Sequence, residues 1–162
     1  MRFKYCPNCG SPCTERPIGD EGLIPYCGHC NRPWFEIFST CVLSVVIGKD
    51  GRRLLIRQSY GDTARYVGIA GYMKCGETAE QAAVREIAEE TGIAASRAQF
   101  LFSAWHASRE QLMLCFAAFA EDDALTLSGE VAEGKWFTQA EAEAAVRPGS
   151  IIEQLVLSLK TL

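Results

Sequence analysis

The chain has 162 residues, with twenty acidic against sixteen basic side chains and a formal net charge of −4. That length suffices for one domain of about 120 to 130 residues with a small appendage. The negative charge provides no general attraction to nucleic acids or anionic membranes, and the apolar stretch at residues 41–48 is too short to span a bilayer. The first residues lack the apolar segment of a signal peptide, so we expect a soluble, cytoplasmic protein with no membrane partner.

Four of the eight cysteines form two Cys-x-x-Cys pairs near the start of the chain: Cys6, Cys9, Cys27 and Cys30. Without an export signal, a metal site is a better interpretation than a secreted disulfide framework. Such pairs hold tetrahedral Zn²⁺ through four thiolates, and a closed sulfur shell is structural because no position stays open for a substrate. We predict a zinc ribbon over residues 1–37, with Cys13 and His29 outside the ligand set, and a second domain over residues 38–162.

The second domain is predicted to begin with a β-hairpin. The β-branched run at residues 41–47 indicates a buried strand. The Asp50-Gly51 turn leads from it into a second strand at residues 53–58. A third strand is expected to end at residues 69–70.

A helix is predicted to begin after Thr78, which forms a capping box with Gln81, and to end at Gly92. Apolar residues at helical spacing give this helix one face for packing on a sheet: Ala79, Ala83, Val84, Ile87 and Ala88. Later segments predict three strands and two helices: strands at 99–105, 111–120 and 135–137, a helix that starts after Thr138, and a helix over 151–159.

Three carboxylates crowd one side of the first helix. Glu86, Glu89 and Glu90 fall within an arc of about 100°, because the last two are three and four positions after the first. Like charges at this spacing repel each other, and a hard divalent cation such as Mg²⁺ or Mn²⁺ would remove the conflict. The alternative is a solvated acidic helix face without a ligand.

The spacing of residues 71–93 decides between a metal site and a solvated helix face. Eight residues stand at fixed offsets: Gly71, Glu77, Arg85, Glu86, Glu89, Glu90, Gly92 and Ile93. Residues 71–93 thereby resemble the Nudix box at every defining position. The resemblance implies a Nudix hydrolase of the α/β class, an α/β/α sandwich with a mixed sheet, which cleaves a nucleoside diphosphate linked to another group with metals held by the box helix.

The order of ribbon, hairpin and box looks like the NADH pyrophosphatase branch of that family. This branch implies NADH, NAD or NAD-capped RNA as the substrate, cleaved into two mononucleotides. Where the branch has Ser-Gln-Pro-Trp-Pro-Phe-Pro, this chain keeps the serine as Ser103, but it lacks the prolines and has Trp105 one position early, so ADP-ribose, FAD or another dinucleotide stays open. A second departure is Lys74, where the family usually has Glu; the lysine could contact a phosphate or mean one fewer metal ligand.

The resemblance also implies roles for individual residues. We expect Glu86 and Glu90 to bind the catalytic cations, assisted by Glu89, Glu130 and the carbonyl of Gly71. Glu89 is the first choice for the general base, Glu90 is catalytic as well, and Arg85 orients the carboxylates. Ser103 matches the branch motif and is expected to contact the substrate. Trp105 and Tyr72 are expected to contact it as aromatic rings that can stack on a base, with packing in the core as the alternative for both.

A second class of function stays open, namely a catalytically inactive nucleotide sensor whose ribbon contacts a protein or RNA partner. The intact box argues against it. Residues 1–37 carry equal numbers of acidic and basic side chains, so no basic surface for nucleic acid is predicted, and RNA is expected only as a capped substrate. A homodimer is common in this branch, although no residue demonstrates one.

Overall fold

A computed structural model describes residues 3–61 and 63–161 of the chain. The chain folds as two compact units that divide between Phe38 and Ser39. The first unit contains a three-stranded antiparallel sheet of β1 (Thr14–Pro17), β2 (Leu23–Cys27) and β3 (Arg32–Pro33). Strand β2 is central and pairs with both others, which brings the second cysteine pair beside the first.

The described residues of the second unit, 39–61 and 63–161, form six strands and three α-helices, together with short 3₁₀ turns at Ala107–Arg109 and Leu159–Thr161. The strands are β4 (Ser39–Ile47), β5 (Arg53–Gln58), β6 (Ile69–Tyr72), β7 (Ala95–His106), β8 (Gln111–Ala120) and β9 (Val131–Phe137). The helices are α1 (Ala79–Thr91), α2 (Gln139–Ala145) and α3 (Ile151–Ser158).

The six strands form one mixed sheet in the order β7-β8-β4-β5-β9, with β6 also paired to β4. Strands β4 and β8 run parallel and the other pairs run antiparallel. Strand β4 is therefore the centre of the sheet, and its residues alternate between two buried faces.

Both faces of the sheet are covered by helices. Val42 of β4 packs with Ala82 and Ala83 of α1. The neighbouring positions of β4, with side chains on the other face, join a core that includes Leu155 and Val156 of α3. This is a three-layer arrangement, and the predicted α/β/α sandwich with a mixed sheet and a small cysteine ribbon is confirmed.

The predicted hairpin at Asp50-Gly51 and the caps at Thr78, Gly92 and Thr138 are confirmed. Three strands begin earlier than predicted, β4 at Ser39, β7 at Ala95 and β9 at Val131, because backbone pairing with a neighbouring strand extends each of them through polar residues. Strand β6 continues to Tyr72, two residues beyond the predicted end. In the described part of the chain, no helix combines the length and apolar character that crossing a membrane requires.

Candidate active site

Helix α1 presents the box carboxylates beside the end of strand β6. Its first turn is held by a reciprocal capping box between Thr78 and Gln81, and Gly92 ends it in a left-handed conformation with φ of 74°. The sheet-facing side buries Ala82, Ala83 and Ile87, whereas Ala88 is exposed, so its predicted place on the packing face is wrong. Position 88 points to solvent because it lies about 100° around the helix from Ile87, whose side chain is fully buried.

The carboxyl group of Glu86 lies directly against the backbone of Gly71, where strand β6 meets helix α1. Gly71 lies on β6, opposite Val42 of the central strand. A Cβ atom built at Gly71 would overlap the carboxyl group of Glu86. The absence of a side chain at this position therefore creates the niche for a box carboxylate.

Arg85 ties the box together from the side of the loop. Its guanidinium makes a bidentate ion pair with Glu77, with Nη2 to Oε1 at 2.7 Å and Nε to Oε2 at 3.0 Å. It also donates to Glu86 at 2.5 Å and to the carbonyl of Tyr72 at 3.1 Å. The hydrogen bonds from Arg85 hold the pKa of Glu77 at about 2, so this carboxylate orients Arg85 as a permanent anion.

Glu89 is more exposed than Glu86 or Glu90, with half of its side chain in contact with solvent. Its Oε2 accepts from Arg85 at 3.1 Å, and its Oε1 lies 3.4 Å from the ammonium of Lys74. Burial acts to raise the pKa of Glu89, but the hydrogen bonds from Arg85 and Lys74 outweigh it and lower the pKa. The positively charged side chain of Lys74 thus lies beside Glu89, one of the glutamates of the box.

We expect Lys74→Gln to strengthen Mn²⁺ binding about threefold, because it removes a positive charge beside the carboxylates, and exposed ion pairs contribute on the order of 0.2 to 1 kcal/mol. Calorimetric titration of Mn²⁺ into the metal-free protein measures this. Lys49→Gln is the matched control, since Lys49 pairs with Glu121 at 3.0 Å on exposed surface. Equal affinities in the two variants and the wild type would contradict a role for Lys74 at this site.

Glu90 lies in a different environment, with only 8% of its surface exposed. No hydrogen-bond donor of the described residues reaches its buried Oε2. Burial is the largest cause that raises the pKa of Glu90, and together with the charges of Glu86, Glu130 and Glu89 it brings the pKa to about 7. A buried carboxylate oxygen that lacks a donor and faces like charges has the chemistry of a cation ligand.

The loop before β9 brings Glu130 to this cluster. The backbone N–H of Ser128 donates to the carbonyl of Glu90 at 3.1 Å, and that of Thr126 donates to the carbonyl of Thr91 at 2.8 Å. The loop therefore satisfies carbonyl groups at the end of α1, which otherwise lack partners at a helix terminus. This contact places Glu130, forty positions after Glu90, beside the buried glutamate.

Together these groups line a cavity of about 400 Å³, a volume in the range of small-molecule sites. Its lining comprises Cys41, Gln58, Tyr60, Ala70, Gly71, Tyr72, Lys74, Arg85, Glu86, Glu89, Glu90, Arg109, Gln111, Met113 and Glu130. Four carboxylates and three basic side chains are present, so the cavity suits a charged ligand bound with a cation. All of the predicted metal ligands on the catalytic side are brought together here.

A model of the NUDIX domain matches residues 38–155, most of the chain and all of the elements that build this cavity. The chain belongs to the NUDIX domain family. The family predicted from residues 71–93 is confirmed.

Curated relatives of this NUDIX chain include proteins named NAD-capped RNA hydrolase NudC. The one from Vibrio vulnificus (strain CMCP6) is 29% identical over 164 residues, a match that covers 98% of this chain and 61% of the relative. The one from Edwardsiella ictaluri (strain 93-146) is 27% identical and is matched over 94% of this chain and 58% of the relative. The chain thus spans about three fifths of the length of these proteins.

Solved structures share the fold. A NUDIX hydrolase from Nitrosomonas europaea superposes with a TM-score of 0.71 at 20% identity, covering 95% of this chain and 88% of that one. The NUDIX domain of Shewanella oneidensis NrtR, complexed with ADP ribose, gives a TM-score of 0.67 at 19% identity, covering 84% and 92%. At these identities the likeness concerns the arrangement of strands and helices.

Two predicted substrate contacts of the NUDIX domain, Ser103 and Trp105, are not among the residues that line the cavity. Trp105 pairs with Leu112, and the residues on either side of Leu112 in β8 are Gln111 and Met113, which do line it. Because neighbouring residues in a strand point to opposite faces, Trp105 and Ser103 face away from the side that carries Gln111 and Met113.

Tyr72, the third predicted substrate contact, does line the cavity, and its hydroxyl accepts a hydrogen bond of 2.8 Å from buried Gln111. Sequence reasoning missed Gln58, Tyr60, Arg109 and Gln111. Arg109 carried a signal, since it is the last residue of the segment that departs from the family motif, and Gln111 follows it by two positions. Gln58 and Tyr60 carried none, because only the sheet order brings the end of β5 to the box.

The four cysteines predicted as metal ligands come together in the ribbon unit. All four Sγ atoms lie within 4.8 Å of one another. The separation is 3.8 Å between Cys6 and Cys30 and 3.6 Å between Cys9 and Cys27. Cys13 is outside this cluster.

Proposed function

We propose that the chain is a divalent-metal-dependent hydrolase that cleaves the diphosphate linkage of a nucleoside diphosphate derivative. The observation that carries the proposal is the buried, unpartnered Oε2 of Glu90, which lies within a NUDIX cavity lined by further carboxylates. The names of the NudC relatives favour a dinucleotide, with NAD, NADH or an NAD cap on RNA first and ADP-ribose or FAD next. Each of these carries the same diphosphate bridge.

The residues present fit a divalent cation such as Mg²⁺ or Mn²⁺. Glu86, Glu90 and Glu130 would hold it, with Glu89 and the Gly71 carbonyl at the same edge of the cavity. Oxygen ligands that include only a few carboxylates suit these hard cations, which take remaining ligands from water and phosphate. When bound, the cation supplies charge neutralisation at phosphoryl oxygens and lowers the pKa of a water molecule.

The chain's own groups perform the remaining tasks. In our proposal Glu89 accepts the proton of the attacking water at Oε1, because Arg85 already holds Oε2 and the contact of Oε1 with Lys74 is long, at 3.4 Å. Arg85 fixes Glu89 and Glu86 relative to each other through its Nη1 group. Alignment of this kind carries much of a phosphoryl transfer, which needs little covalent participation from the protein.

Incubation with Mg²⁺ or Mn²⁺ and a panel of substrates tests the proposal. The panel contains NAD, NADH, ADP-ribose, FAD, a dinucleoside polyphosphate and NAD-capped RNA, and the products are separated by chromatography. We expect two mononucleotides from the preferred dinucleotide and none in EDTA. Binding of these compounds without cleavage would instead support the alternative of a nucleotide sensor.

For the ribbon we propose one structural Zn²⁺ held by the four clustered cysteines. A tetrahedral site with Zn–S bonds of about 2.3 Å requires sulfur atoms about 3.8 Å apart. The separations of 3.6 and 3.8 Å fit that requirement. With four sulfur ligands the ion has no open position, so its role in the proposal is to hold a unit whose sheet is too small for a core of its own.

We expect the purified protein to contain one zinc per chain and Cys9→Ser to lose most of it, because thiolate is the better zinc ligand. Elemental analysis after dialysis measures both. Cys13→Ser is the matched control, as Cys13 lies outside the cluster. Retention of zinc in Cys9→Ser, or its loss in Cys13→Ser, would contradict this ligand set.

A further inference from the structure

Arg109 stands at the end of the segment in which this chain departs from the family motif. It is the last residue of the 3₁₀ turn Ala107–Arg109, which connects β7 to β8. The next residue, Glu110, adopts a left-handed conformation with φ of 50°, and this turns the chain sharply into β8. The turn places Arg109 in the lining of the cavity, two residues before Gln111, which is the first residue of β8.

Arg109 differs from the other two basic residues of the cavity in having no carboxylate partner. Arg85 is committed to Glu77 and its helix neighbours, and Lys74 is paired with Glu89. Within residues 3–61 and 63–161, the Arg109 side chain makes neither a hydrogen bond nor an ion pair. It is exposed and positively charged beside a cavity that is otherwise rich in carboxylates.

Tyr60 lines the same cavity as Arg109, Glu90 and Glu130. Burial and the charges of Glu130 and Glu90 raise the pKa of Tyr60, and Arg109 acts in the opposite direction. Charges of both signs are therefore within electrostatic reach of one phenol. Because Glu90, Glu130 and Arg109 line one cavity, a single ligand there can contact both the carboxylate cluster and the guanidinium.

We propose that Arg109 binds a phosphate of the nucleoside diphosphate substrate, at oxygens that the metal-binding glutamates leave uncovered. This inference rests on the proposed function and identifies a residue that selects for the charged diphosphate. A guanidinium presents a fork of donors that matches phosphate oxygens, and such charge-assisted hydrogen bonds are stronger than neutral ones. The other two basic side chains of the described cavity already lie beside carboxylates, Arg85 in its ion pair with Glu77 and Lys74 at 3.4 Å from Glu89.

The test measures binding separately from hydrolysis. Calorimetry with α,β-methylene-ADP, whose bridging carbon prevents cleavage, and with adenosine is carried out in Mg²⁺ on the whole chain. We expect Arg109→Ala to weaken binding of the methylene analogue about tenfold, as typical for the loss of one charge-assisted contact, and to leave adenosine binding unchanged. Arg109→Lys should recover part of the loss, because the charge returns without the planar fork.

Arg97→Ala is the matched control, since Arg97 stacks on Phe119 at 4.3 Å and is not part of the cavity lining. Equal affinity of Arg109→Ala and the wild type for the methylene analogue would overturn the inference, as would wild-type protein that fails to bind the analogue. In turnover assays the variant should raise KM more than it lowers kcat. Failure of the wild type to hydrolyse any dinucleotide would refute the proposed function instead. The affinities of Arg109→Ala and the wild type for the methylene analogue would still test the role of Arg109.

Discussion

The Glu90→Gln variant is expected to unfold at a higher temperature than the wild type at pH 8 in EDTA, while its turnover falls by several orders of magnitude. Buried Glu90 has a pKa of about 7 in the folded, metal-free chain, against an ordinary value of 4.5. Folding therefore favours the protonated form, so stability is lost as pH rises from 4.5 to 7 and does not return above that range. The penalty is at most about 3 to 4 kcal/mol, since the pKa rises from 4.5 to about 7 and each pKa unit corresponds to about 1.4 kcal/mol.

The loss of turnover has the same physical origin. A neutral amide at position 90 removes the anionic oxygen that we propose as a metal ligand, and phosphoryl transfer depends on that charge compensation. Thermal unfolding at pH 5 and pH 8, with and without Mn²⁺, measures the stability effect. Added Mn²⁺ should stabilise the wild type and leave the variant nearly unchanged, because a ligand stabilises only a state that binds it.

Glu121→Gln is the control for removing a carboxylate from exposed surface, where Glu121 pairs with Lys49. It should change neither the pH dependence nor the Mn²⁺ response, as exposed ion pairs contribute little. A Glu90→Gln protein that is less stable than the wild type at pH 8 in EDTA would show that the buried carboxylate is satisfied in some other way. A variant with full turnover would remove Glu90 from the proposed metal site.

Local signals in the sequence were sufficient for the elements that carry the box. The capping box of α1 and the Asp50-Gly51 turn can each be recognised from residues only a few positions apart in the sequence, and the structure contains both. The cysteine pairs were equally direct, because the Cys-x-x-Cys spacing already reflects the geometry of one metal site. Glu130 was assigned to the cluster by resemblance, and the loop contact with the end of α1 gives its physical basis.

Other parts of the site depend on pairing between distant strands, which local patterns do not encode. Trp105 has an aromatic ring suited to contact a substrate base, but a shift of one residue in the strand register decides which face of the sheet the ring occupies. Tyr60 and Gln58 reach the cavity because β5 lies beside β4 in the sheet, a fact of topology. The ion pair of Lys74 with Glu89 likewise required the loop to fold back along the helix.

Gly71→Ala should nearly abolish turnover and weaken Mn²⁺ binding, while the thermal stability of the metal-free protein stays close to that of the wild type. The added methyl group would occupy the space of the Glu86 carboxyl group, and the far end of a glutamate side chain can move away without disturbing the backbone. Gly71 lies in a regular strand and has no left-handed φ, so alanine fits its backbone conformation. The substitution therefore displaces the carboxyl group of Glu86, which must leave its contact with Arg85, and leaves the backbone unchanged.

Gly129→Ala provides the matched control, because a Cβ atom there meets nothing within 4 Å and the residue also lacks a positive φ. Turnover of that variant should stay within about twofold of the wild type, as expected for a surface substitution. Mn²⁺ titration and thermal unfolding of both variants separate displacement of a ligand from a general loss of structure. If Gly71→Ala bound Mn²⁺ and turned over substrate like the wild type, Glu86 would be able to act from outside its niche. The closeness of strand and helix at this point would then be a matter of packing alone.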